Sequence, residues 1–392
     1  MEWKEVRLGD VCSELSDGLH KAPKFIVNGE YIFVNAKNLY NGYILDNDPT
    51  KKTSHEEYLK YKKPLGKHSI LYSIDGTIGN IAKYRGEKCV LGKGACYINC
   101  NPEIVESSYL YYQLQSPHFK SYIHLMSTGS TIKHISLKTM RDYVFELPSL
   151  EDQRHIASIL SSLDRKIELN NKINADLEEM AQAIFKNWFV DFEPFKDGKF
   201  VDSELGMIPE GWKVGGLFDI AEIFDKKRKP LSGNVREKMD KIYPYYGATS
   251  CMDYVDDYIF DGIYTLIGED GSVVKENGLP YMQYVWGKMW VNNHAHILQG
   301  KNGYSTEMIH ALLSITNIKF LVTGAVQAKL SQGNMQKIFV AIPPKNVLDE
   351  IRPVIDNLYS KIRINTAESS RLSLLRDTLL PRLMSGELEV PE

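Results

Sequence analysis

IASILSSLDRKIELNNKINADLEEMAQAI, from Ile156 to Ile184, and IRPVIDNLYSKIRINTAESSRLSLLRDTL, from Ile351 to Leu379, decide how this chain folds. Each carries a heptad seam. In the first, Ile156, Leu163, Asn170, Leu177 and Ile184 recur every seven residues, with Ile159, Lys166, Ile173 and Met180 three positions on. The second answers with Ile351, Leu358, Asn365, Leu372 and Leu379, accompanied by Val354, Lys361, Glu368 and Leu375. The offset is 195 (351 − 156), and Asn365 lies 195 after Asn170. A polar residue inside an apolar seam costs stability and fixes register, so its recurrence predicts two helices that pair with each other. The alternative is an asparagine merely tolerated at a half-exposed place. Ile156 to Ile184 spans about 42 Å at the helical rise.

The repeat extends upstream of the helices. Thr128-Gly129 recurs as Thr323-Gly324, Leu147-Pro148 as Ile342-Pro343, and Asp75-Gly76-Thr77-Ile78 as Asp270-Gly271-Ser272-Val273, all at 195. Trp3-Lys4 answers Trp212-Lys213 at 209, which places the length difference before residue 71. Each repeat is a globular domain followed by a helix. Gly386-Glu387-Leu388-Glu389-Val390-Pro391-Glu392 leads naturally into Met1-Glu2-Trp3, so the plan is cyclic. Antiparallel helices would satisfy it, with a pseudo-two-fold axis and a domain at each end. Short β-like runs such as Tyr31-Ile32-Phe33-Val34 and Tyr264-Thr265-Leu266-Ile267, broken by Gly, Asn, Asp and Pro, predict mixed α+β heads over 1–148 and 203–343. Helical regions follow at 149–202 and 344–392. Ser149 is expected to cap the first helix, with Glu151 and Asp152 on its first turn, and the repeat offers Asn346 followed by Asp349 in the same places. Pro353 predicts a helix start or a kink, and Pro381 its end. The first helix is expected to run to about Pro194.

At 392 residues with one duplication, each unit is large enough to bury its own core. Hydrophobic and charged contents of 43% and 25% are ordinary, no apolar run approaches a membrane span, and the chain reads as cytoplasmic. Cys12, Cys89, Cys96, Cys100 and Cys251 read as reduced thiols, without zinc-ligand spacing. The net charge of −3 lacks the basic excess usual for a duplex binder, leaving only local patches such as Lys51-Lys52 and Lys226-Lys227-Arg228-Lys229.

Two unlike heads held about 40 Å apart would suit duplex DNA, whose successive major grooves recur every 34–36 Å or so. The chain resembles the specificity subunit of type I restriction–modification systems. The residues that carry the resemblance are the duplicated plan, Ala183-Ile184-Phe185-Lys186-Asn187-Trp188-Phe189-Val190-Asp191-Phe192-Glu193-Pro194, and Ile208-Pro209-Glu210-Gly211-Trp212. Tyr243-Pro244-Tyr245-Tyr246-Gly247-Ala248, Gly268-Glu269-Asp270-Gly271 and Asn292-Asn293-His294-Ala295 are similar to turns of that family's target-recognition domains. The resemblance implies two target-recognition domains separated by a two-helix antiparallel coiled coil, each reading half of a split, asymmetric site on double-stranded DNA. It further implies a non-catalytic chain that binds two modification (methyltransferase) subunits and, through them, restriction subunits. S-adenosylmethionine, ATP and Mg would then belong to those partners, with no cofactor or metal in this chain. A coiled-coil scaffold with two protein-binding heads is the competing reading, favoured by the charge.

The sequence shows neither a methyltransferase Asn/Asp-Pro-Pro-aromatic turn nor a phosphate loop. Asp225-Lys226-Lys227 has the form of a nuclease triplet but no evident acidic partner, and Asp75 and Asp270 read as turn formers. Exposed cations and amides are the expected DNA contacts. Lys133 and Lys329, in the loops Ser127-Thr128-Gly129-Ser130-Thr131-Ile132-Lys133-His134 and Thr323-Gly324-Ala325-Val326-Gln327-Ala328-Lys329, are near-equivalent and read as phosphate contacts. His134, Lys83, Arg85, Tyr246, Asn292, Asn293 and His294 complete the candidates. Trp188, Phe189 and Phe192 extend the seam and suit packing or partner docking.

Overall fold

The computed structural model describes residues 3–46, 50–129, 133–324 and 327–389. Met1, Glu2, Val390, Pro391 and Glu392 of the cyclic reading, and Ser130, Thr131, Ile132, Ala325 and Val326 of the two loops, lie outside the described residues. The chain divides into two compact units, Met1–Glu168 with Glu368–Glu392, and Leu169–Ala367. Two 40-residue helices, Leu150–Phe189 and Lys345–Met384, each contribute one half to each unit.

In the first unit a four-stranded antiparallel sheet runs in the order Cys12–Asp17, Ala95–Cys100, Ser69–Ser73, Ile81–Lys83. A smaller sheet joins Lys52–Thr53, Tyr31–Val34 and Cys89–Leu91. The start of the first helix and the end of the second share the main core, through Ile156, Ala157 and Leu160 on one and Leu380, Leu383 and Met384 on the other. Asp164 accepts from Arg376 at 2.7 Å, and Lys166 lies 3.1 Å from Glu368. Trp3 and Gly386 both fall in this unit, and a Cβ on Gly386 would stand 3.2 Å from the Trp3 indole. That contact agrees with the cyclic plan.

In the second unit one six-stranded sheet runs Ala221–Ile223, Ala295–Gly300, Phe260–Gly268, Met282–Val291, Tyr243–Tyr246, Cys251–Val255. Here the end of the first helix packs on the start of the second: Ala181, Phe185 and Phe189 share a core with Ile351, Ile355, Tyr359 and Ile362. Asn170, fully buried, donates to the Asn365 carbonyl at 3.4 Å, and Asn365 donates to Asn174 at 2.9 Å. Start against end in one unit, and end against start in the other, makes the helices antiparallel. Asn170 and Asn365 meet as the repeated polar exception required.

The structure corrects the details of the seam. Met180, Val354 and Leu375 are about half exposed, whereas the buried stripe on the second helix is Ile351, Ile355, Tyr359, Ile362, Asn365 and Ser369. That spacing is helical rather than strictly heptad, because the helix faces its own globular unit as well as its partner. Leu163, Leu177, Ile184, Trp188, Leu358, Leu372 and Leu379 are half-buried. The second helix begins at Lys345, so Asn346 lies inside it rather than capping it, and it neither starts at Pro353 nor stops at Pro381; it runs through both to Met384. Buried Ile351 and Ile355 flank Pro353 and hold the backbone helical past the missing donor. Gly386, at φ +72°, terminates the helix in the left-handed conformation that glycine adopts without cost. The first helix ends at Phe189, short of Pro194, and the chain turns at Phe192 with φ +54°.

Candidate nucleic-acid interface

Each unit builds the same junction of three loops from backbone hydrogen bonds. The first loop is the turn Asp75-Gly76 or Asp270-Gly271, whose glycines stand at φ +71° and +76°. The second is the turn before Ala95 or Ala295. In one unit the Ile74 N–H donates to Gly94 at 3.0 Å; in the other Glu269 donates to His294 at 2.8 Å. The third is the loop closed by Thr128 and His134, which exchange two bonds of 3.0 and 2.8 Å, as do Thr323 and Lys329 at 2.9 and 2.7 Å. Gly76 donates to Lys133, and Gly271 to Ala328, both at 3.0 Å.

These matched bonds fix the true correspondence between the repeats. His134 is the counterpart of Lys329, and Lys133 that of Ala328, so Lys133 and Lys329 are near-equivalent with an offset of one residue. Gly94 is the counterpart of His294 at a spacing of 200 (294 − 94), against 195 on either side. The second unit is therefore five residues longer before this turn and five shorter after it, where the first has the helix Pro117–Met126. The constant spacing hid two compensating changes.

An imidazole sits on the aspartate in both units. His134 Nδ1 pairs with Asp75, and His294 Nδ1 lies 2.5 Å from Asp270 Oδ1. The histidine side chains are 42% and 47% exposed, their aspartates 25% and 21%. The ring comes from the third loop in one unit and from the second loop in the other. Lys133, Asn293 and Lys329 are exposed around these junctions.

Behind the junction of the second unit lies a buried charge network. Arg228 donates to Glu269 at 2.6 Å and to the carbonyls of Ala295 at 2.7 Å and Asn293 at 3.3 Å. Its second nitrogen is 3.3 Å from Asp225. His296 lies 2.5 Å from Asp225 through Nδ1 and 2.7 Å from the Leu330 carbonyl through Nε2. Burial raises the Asp225 carboxyl, but His296, Arg228 and Gln332 outweigh it and hold the group below the usual carboxylate range. The structure thus supplies the acidic partner that the sequence around Asp225 did not reveal, since Asp225, Glu269 and His296 offer ligand atoms within 4.8 Å of one another. A divalent ion fits poorly there. The Arg228 guanidinium already bridges both carboxylates, and both nitrogens of His296 face acceptors within the protein.

Other candidates fall elsewhere. Lys83 lies 4.4 and 5.3 Å from the Tyr111 and Tyr112 ring centroids, and Tyr112 donates to Asp164 of the first long helix at 2.6 Å. Burial, reinforced by Arg85, brings the Lys83 ammonium down to about 8. Arg85 stacks on Tyr43 at 4.0 Å and donates to the Gly42 carbonyl at 2.5 Å. Tyr246 is half-buried against the sheet core, and burial pushes its hydroxyl up to about 12. Asn292 is buried, and its side chain accepts from the His294 N–H at 2.8 Å to shape the turn. Sequence reasoning missed Asp75 and Asp270 as holders of imidazoles, and it named Arg228 and Glu269 only within a basic patch and a turn, not as partners of each other. The repeated Asp-Gly pair was the available signal.

Both halves of the chain, residues 1–179 and 209–374, match the type I restriction modification DNA specificity domain. The type I restriction enzyme MjaIX specificity subunit of Methanocaldococcus jannaschii is 28% identical over 94% of this chain and 86% of its own length. The HindI specificity subunit of Haemophilus influenzae is 23% identical over 99% and 100%. In fold, the chain is similar to the crystal structure of the type I restriction–modification S subunit from M. genitalium, with a TM-score of 0.57 at 17% identity over 100% of this chain and 97% of that one. No helix among the described residues is long and apolar enough to cross a membrane.

Proposed function

The chain belongs to the type I restriction modification DNA specificity family, and on that premise we propose that its two units read the two halves of a bipartite, asymmetric site on double-stranded DNA. The paired helices fix the spacer between half-sites and offer docking surface to two modification subunits, which recruit the restriction subunits. Methyl transfer and cleavage, with S-adenosylmethionine, ATP and magnesium, belong to those partners; this chain selects the sequence. The observation that carries the reading is the junction present in both units, identical in backbone bonding and different in exposed side chains. A shared frame with unlike side chains is what two readers of unlike half-sites require, because backbone geometry positions a reader and side chains specify bases. The scaffold alternative is not favoured, since both matched segments fall within a DNA specificity domain.

The test is an exchange of residues 1–148 with 203–343 in the complete complex, followed by sequencing of methylated adenines. The half-sites are expected in reversed order. An unchanged methylation pattern would sink the assignment of one unit to each half-site.

A further inference from the structure

Whatever two unlike readers have in common should address what all duplex DNA has in common, which is the phosphate backbone. At the junctions that common chemistry is an imidazole held by a carboxylate, His134 on Asp75 and His294 on Asp270. We propose that His134 and His294 are matched phosphate contacts, one in each unit, aimed by their aspartates. Nδ1 faces the carboxylate, which leaves Nε2 as the outward pole, and a ring carrying both protons donates from Nε2 to a phosphate oxygen. The inference rests on the DNA-reading function proposed above.

The two rings reach the same place by different routes. The position that supplies the imidazole in the second unit is Gly94 in the first, and the position that supplies it in the first is Lys329 in the second. The loops themselves are closed by the same backbone bonds whichever loop carries the histidine, so the ring is not what ties the loop to the turn. The Asp–His pair is therefore the repeated element, independent of the loop that provides it. Its exposure has the right polarity, with each imidazole more open to a ligand than the carboxylate behind it. Lys133 stands beside the pair in the first unit. In the second, Lys329 reaches to 3.5 Å from Glu269, itself held by Arg228, so a cation flanks each pair.

The experiment measures binding by the chain assembled with its modification subunits, across a salt series, to a duplex carrying its methylated site and to a scrambled duplex. His134→Gln and His294→Gln, singly, are expected to weaken both duplexes by the same factor, about tenfold, the worth of one charge-assisted hydrogen bond. Each should also reduce the slope of log affinity against log salt by about 0.9, and the double variant by about twice that. His134→Lys, which gives the first unit the residue type its counterpart carries at that position, should keep the slope. A loss confined to the methylated-site duplex with the slope unchanged makes the histidines base readers and overturns the proposal. So does an unchanged affinity, or a loss in His134→Lys equal to that in His134→Gln with both melting at lower temperature, which marks a structural tie. If the wild-type assembly binds neither duplex at any salt, the DNA-reading function itself falls, an outcome separable from all of these.

Discussion

Arg228→Ala removes the cation that neutralises two largely buried carboxylates, and the structure sets the size of the effect. The Asp225 and Glu269 side chains are 4% and 16% exposed, and the arginine that bridges them is 12% exposed. Removing one partner from a buried ionic cluster costs about 3–5 kcal/mol, because the remaining charge stays desolvated without its counter-charge. For a unit of this size each kcal/mol lowers the melting temperature by about 2–4 °C, so a fall of about 6–20 °C is expected. Chemical denaturation of the variant against the wild type measures the free energy directly. The same substitution opens the space between Asp225, Glu269 and His296, ligand types that suit a transition metal. Manganese or zinc should then raise the midpoint of Arg228→Ala and leave the wild type unmoved, since an ion stabilises only the state that binds it. A loss below about 1 kcal/mol would refute the claim that Arg228 compensates the cluster. Equal stabilisation of the wild type by metal would refute the claim that the guanidinium occupies the cation position. The pH dependence has a definite sign. The folded Asp225 carboxyl lies below its unfolded value, so its stabilisation is present above about pH 4 and is lost as pH falls through the folded value.

Two further substitutions test the packing. Lys83 has a folded value near 8, below the ordinary 10.5, so the folded state is penalised wherever both forms carry the proton; wild-type stability should therefore rise between about pH 8 and 10.5. Lys83→Met should stabilise the protein by about 1–3 kcal/mol at pH 7 and flatten that rise, and a destabilised variant in urea denaturation would mean that the Tyr111 and Tyr112 ring contacts outweigh the burial of charge. Pro353→Ala restores the missing helix donor at an exposed position inside Lys345–Met384 and should gain about 1–3 kcal/mol, measured by the same denaturation; no gain would mean that the flanking packing has already absorbed the cost of the proline.

The duplication, the two long helices, their pairing through Asn170 and Asn365, and the mixed α+β units were all legible in the sequence. Periodicity and repeat spacing are local or translational signals that survive without coordinates. The residues of the junction were legible only in part. His134, His294, Lys133 and Lys329 could be named from residue type and loop position, but the correspondence among them could not. The five residues gained before His294 and returned before Thr323 cancel in any count along the chain, and only the backbone hydrogen bonds of Ile74 and Glu269 show which positions coincide. Asp225 looked solitary because its partners come from elsewhere, His296 from the strand Ala295–Gly300 and Glu269 from the turn after Phe260–Gly268, and nothing in a linear pattern encodes a cluster assembled from three separated segments. Lys83 looked like a surface cation because the burial of a side chain depends on what the fold lays over it, here Tyr111 and Tyr112. The sequence by itself determined the repeated elements and their pairing, since these follow from patterns that recur at fixed intervals. The tertiary structure alone decided which side chains meet at the junction, because that depends on loops whose lengths differ while their ends are held by the same bonds.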